Sequence, residues 1–106
     1  MDYSSTIEAV DAYLAQGELV HYWREVAEES WRSGHRNLKL EDEVRCYQRE
    51  LLQLKRKAVC ALGLAARATS DSFGLLTVQD AIIRDADPAA IVALWRPLKA
   101  WYQCSR

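Results

Sequence analysis

Glu18 and His21 are spaced as metal ligands are spaced on a helix, with the carboxylate three residues before the imidazole. Di-iron carboxylate bundles need that motif twice, plus a glutamate from each of two further helices. Here it occurs once, and the only other histidine, His35, has Arg32 three residues before it. The three cysteines, Cys46, Cys60 and Cys104, form no C-x-x-C pair, and none has a histidine near it in sequence. On one helix Cys46 and Cys60 would stand roughly 21 Å apart, beyond disulfide reach. Free thiols in a reducing cytoplasm are the simplest expectation. Ser70-Asp71-Ser72 has the composition of a turn. Asp85 and Asp87 flank a helix boundary, where acids cap. No glycine-rich loop is present to cradle a phosphate. The spacing therefore predicts no catalytic residue, no metal site and no cofactor, and the chain is not read as an enzyme.

The elements themselves are more legible. Glu41 to Thr69 reads as one long helix with an apolar seam at Val44, Tyr47, Leu51, Leu54, Ala58, Ala61, Ala65 and Ala68, in steps of three and four. Its second half, AVCALGLAA, is built from small residues. It should form the crowded centre of the fold, with Gly63 a point of close approach. Ahead of it, Ser5-x-x-Glu8 reads as a capping box. Ile7, Val10 and Leu14 form a stripe after it, and Gly17 is positioned to end that helix. Continued in phase, the stripe would land on His21, Arg24 and Glu25. A separate second helix over 18–33, closed by Gly34, is therefore expected. Its apolar residues, Leu19 to Trp31, spread over about half its circumference, wider than a surface helix needs. Later, Thr77-x-x-Asp80 reads as another capping box, and Asp87-Pro88 as a cap with proline at the first helical position. Pro97 predicts a kink or restart near Arg96. No strand-like alternation occurs. The expected fold is all-α, a small bundle of about five helices around the long central one, forming a single domain over 1–106.

The net charge is -1, too small to draw in nucleic acid or an anionic membrane. It is segregated, however: residues 1–43 carry a net -6, residues 44–68 a net +5, and the remainder balances. Acidic first helices lying against the basic flank of the long helix would account for this. A strip for phosphates, using Arg45, Arg49, Lys55, Arg56 and Lys57, is the alternative. Residues 77–96 also have the outline of a helix-turn-helix. Its second helix offers only Arg96 as a base, where a DNA reader needs basic and amide side chains. The N-terminus lacks the basic and apolar regions of a signal peptide, and the longest apolar run is too short to span a bilayer. A cytoplasmic location is expected.

The aromatic residues carry more information. Four tryptophans and five tyrosines stand against one phenylalanine, and Trp and Tyr suit surfaces that are apolar at one end and wet at the other. Leu19, Tyr22, Trp23, Trp31, Val44, Tyr47, Leu51, Trp95, Trp101 and Tyr102 are the expected partner or dimer interface. The heptad seam of the long helix could equally pair with its own copy in a homodimer.

The best-supported class is a small protein-binding adaptor or inhibitor that covers a partner's surface. Alternatives are a nucleic-acid-binding regulator and a phage-type inhibitor of a host system. In its long helix from Glu41 to Thr69 and the aromatic ends around Trp23 and Trp101, the chain resembles the small helical anti-activators of LuxR-type quorum-sensing regulators. The likeness is one of size and architecture, with no diagnostic motif. It implies a transcription factor as partner, held inactive by occupation of the surface it uses to dimerise or bind DNA.

Overall fold

The computed structural model describes residues 3–104. They form four helices, not five: α1 (Ser4–Arg32), α2 (Leu38–Ala68), α3 (Phe73–Ile83) and α4 (Pro88–Cys104). There is no strand among the described residues. At 1.5 Å per residue α1 and α2 are about 43 Å and 46 Å long, and they dominate a molecule of 55 × 23 × 21 Å.

The missing fifth helix is explained at Gly17, which lies inside α1 and does not end it. The residues of α1 that face α2 are Thr6, Ala9, Tyr13, Gln16, Val20, Trp23, Ala27 and Ser30, all buried or half-buried. Their steps alternate three and four without interruption, so one seam runs the whole helix. It is hard to see in sequence because Thr6, Gln16 and Ser30 are polar. Its partner on α2 is the seam expected from the sequence: Val44, Ala58 and Ala65 are buried and Tyr47, Leu51, Leu54 and Ala61 half-buried, while Ala68 is exposed. Gln16 fixes the register, its Nε2 donating to the Tyr47 carbonyl at 3.0 Å. This seam is therefore covered within the chain by α1.

The helix ends follow local chemistry. Gly34, at φ +85°, closes α1: its N–H donates to the Trp31 carbonyl, and that of His35 to Ser30, a Schellman pattern. The start of α2 is set by Asn37, whose side chain accepts from the Leu40 N–H at 3.1 Å, so the helix opens before Glu41. The Ser5 box does not form, since α1 begins at Ser4 after Tyr3 with no side-chain cap. Thr77 is no cap either: α3 starts at Phe73, and the Thr77 hydroxyl donates back to the Phe73 carbonyl at 2.7 Å. Asp85, at φ +52°, ends α3 in a second Schellman pattern. Asp87 caps α4 as expected, accepting from the Ala89 N–H at 3.1 Å. Pro97 lies within α4, which runs on through it without restarting.

The core sits at one end of the long pair. Val10 and Tyr13 of α1 meet Ala58, Leu62, Ala65 and Ala66 of α2, and α3 and α4 close over them with Leu75, Val78, Ile82, Ile91, Trp95 and Tyr102. The small residues of α2 are the crowded centre the sequence suggested. A Cβ on Gly63 would lie 3.0 Å from the Gln79 side-chain nitrogen, which donates to the Val59 carbonyl at 2.9 Å. Asp11 ties α4 to α1, accepting from the Trp95 indole at 3.0 Å and pairing with Lys99 at 2.7 Å. Burial pushes the phenols of Tyr13 and Tyr102 up from their ordinary value. Asp85 adds to this at Tyr13, and Tyr3 and Asp71 add to it at Tyr102. Past this end, the rest of α1 and the first half of α2 project as a two-helix arm, whose own buried contacts are Val20 and Val44.

Candidate interaction surface

The aromatic and apolar residues singled out by sequence divide into three groups. Trp95, at 2% exposure, and Tyr102 belong to the core, so they are not surface residues of this chain. Val44, Tyr47 and Leu51 lie in the α1–α2 seam. Leu19, Tyr22, Trp31 and Trp101 are outside, exposed by 37%, 58%, 57% and 60%. Trp23 bridges the last two groups. It is half-buried, its ring stacked 6.4 Å from Tyr47 and met edge-on by Tyr22 at 5.3 Å, both within the range of favourable ring pairs.

The physical cause of this exposure is the arm. The broad apolar face of residues 18–33 has α2 on one side only, because α3 and α4 stop short of it. Sequence reasoning missed the row that results. Ala12, Ala15, Leu19 and Tyr22 are exposed and Val26 half-buried, and their steps of three and four place them on one face of α1 about a quarter turn from the seam. The signal was present in the sequence but was cut by the assumed break at Gly17. Trp31 lies on a different side. It lines a hollow of about 270 Å³ with Arg24, Ala27, Glu28, Arg32 and Glu41, and the Arg36 guanidinium stands 4.7 Å above its ring. Trp101 borders a separate hollow of about 300 Å³ at the core end, with Asp71, Gly74, Pro97 and Leu98. The predicted interface residues thus do not form one surface.

The five bases also part company. Arg45 pairs with Asp42 at 3.1 Å, and Lys55 with Asp85 at 2.8 Å. Arg49 and Arg56 are exposed and share a face with Arg45, and Arg67 continues that line, whereas Lys57 is turned about 100° away from Arg56. The expected pairing of α1 acids with α2 bases is not found. Among the described residues every ion pair lies within a helix, at the α1–α2 connection, or against α3 or α4. The two charged faces are therefore left uncompensated by each other.

His21 lies 3.1 Å from Glu25, one turn on, and not from Glu18. Among the described residues no three His, Cys, Asp or Glu side chains converge as a metal site would require. Cys46, Cys60 and Cys104 are free and exposed. No helix among these residues is long and apolar enough to cross a membrane. Compared with protein-family models, curated proteins and solved structures, the chain matches none.

Proposed function

We propose that this protein is a small adaptor or inhibitor that covers a surface of a partner protein with the arm formed by α1 and α2. The observation that carries this reading is the row Ala12, Ala15, Leu19, Tyr22 and Val26, an apolar heptad face that is exposed at every position but half-buried Val26 and lies outside the core among the described residues. A surface helix normally spends its apolar stripe on its own core. Here α1 has spent one stripe on α2 and carries a second. Contiguous apolar surface of this kind, rimmed by charge, marks interaction sites. The affinity would come from Leu19 and Tyr22 as anchors, with the charged rim setting specificity.

Within this class, an anti-activator that sequesters a transcriptional regulator is the reading to which the long helix and aromatic residues lend support. The test is affinity capture from the native host with the tagged chain and with a Leu19→Asn, Tyr22→Asn variant. Both positions are exposed, so the variant keeps its helices, which circular dichroism checks. A stoichiometric protein held by the natural chain and lost by the variant supports the proposal. Equal recovery by the two chains, or none by either, overturns it.

A further inference from the structure

The charges around the α1 row say what kind of surface it would take. Continuing its steps of four and three beyond Ala12 and Val26 leads to Glu8 and Glu29, both exposed. Along the outer rim, at heptad spacing, stand Asp11, Glu18 and Glu25, and the line ends on Arg32, which pairs with Glu28. Asp11 is held by Lys99 and Trp95, and Glu25 faces only His21, while Glu18 has no ion pair among the described residues. The inner rim comes from α2. Glu50 accepts from Gln16 at 3.3 Å, which places it at the level of Ala15 and Leu19. Glu43, seven residues earlier and so on the same face, is carried by the antiparallel register to the level of Tyr22 and Trp23. Lys39 and Lys57 stand near the two ends of this α2 face.

An apolar heptad row with acids on both rims is one half of a coiled-coil seam, in which the e and g positions choose the partner. We infer that the outer row of α1 docks a basic amphipathic helix, with apolar residues at its a and d positions and Lys or Arg at e and g. This rests on the protein-covering reading above and names the chemistry of the partner. A second copy of α1 is disfavoured as occupant, since antiparallel pairing would set Glu8 against Glu29 and bring two acidic rims together.

The experiment uses the full chain and two synthetic helical peptides of about three heptads. Both have leucine at a and d. One has lysine and the other glutamate at e and g. Titration at low salt should show the lysine peptide binding more tightly by a factor on the order of ten or more. The Leu19→Asn, Tyr22→Asn variant should lose that binding. A Glu18→Lys, Glu43→Lys, Glu50→Lys variant should reverse the preference, with circular dichroism confirming that both variants remain helical. Equal binding of the two peptides, no binding of either, or binding untouched by both variants overturns the inference. So does a dimer in sedimentation equilibrium that the Asn variant converts to monomer, because the occupant is then a second copy. If the peptides fail but the natural chain still captures a protein that the Asn variant loses, the basic helix is wrong and the protein-covering reading stands. If both fail, neither stands.

Discussion

Gly17→Ala separates a continuous α1 from two helices meeting at an angle, and it does so by the sign of a stability change. Gly17 lies inside the helix, outside the left-handed region, and a Cβ built on it meets no heavy atom within 4 Å. Nothing therefore opposes the gain from replacing glycine by alanine in a helix interior, about 1 kcal/mol. For a domain of this size that is a rise of about 4 °C in Tm. Were Gly17 instead the left-handed end of a first helix, alanine would cost about 1–2 kcal/mol and Tm would fall. The assay is thermal and urea unfolding followed by circular dichroism. Gly34→Ala is the internal control: at φ +85° it should lose what Gly17→Ala gains. A Gly17→Ala protein less stable than the natural one would refute the unbroken seam, and with it the arm.

Other outcomes follow from the core. Trp95→Ala removes a ring that is 2% exposed and donates to Asp11, and should cost about 3–5 kcal/mol. Trp101→Ala, at an exposed site, should cost far less, and unfolding midpoints measure both. Gly63→Ala should lower stability by about 1 kcal/mol, because crowding of Gln79 and the loss of its bond to Val59 outweigh the helix gain. Raised phenol pKa values mean that the folded state holds these protons more tightly than the unfolded chain does. The contribution is complete below the ordinary value of 10.0 and is lost as pH rises through it and beyond. Urea midpoints should therefore fall above that pH, less steeply in Tyr13→Phe. An identical slope would contradict burial of Tyr13.

What could be read from the sequence depended on how cleanly one effect ruled at each position. The α2 seam was legible because nearly every residue on it is apolar, and the close approach at Gly63 because its neighbours are small. Asp87-Pro88 and Gly34 were legible because cap chemistry is local. The α1 seam was not, since Thr6, Gln16 and Ser30 are buried or half-buried by α2 without being apolar, and Gly17 imitated a stop. Asn37 is masked by the acids at 41–43, and the Thr77-x-x-Asp80 spacing imitates a capping box although the Thr77 hydroxyl satisfies the preceding turn. No local signal separates Trp95 from Trp101. They lie six residues apart on one helix, and only the placement of α4 across α1 decides which is sealed. Trp95 and Tyr102 of the anticipated interface are core for that reason, while the row through Ala12 and Ala15 is hidden by the apparent stop at Gly17 and by the small size of its alanines.

The protein-covering role is tested most directly by placing a photocrosslinking side chain at Leu19, Tyr22 or Val26, with exposed Ala90 of α4 as the control, and irradiating cells of the native host. One protein should be joined from all three arm positions and not from Ala90. No adduct from the arm, or the same adducts from Ala90, would contradict that role.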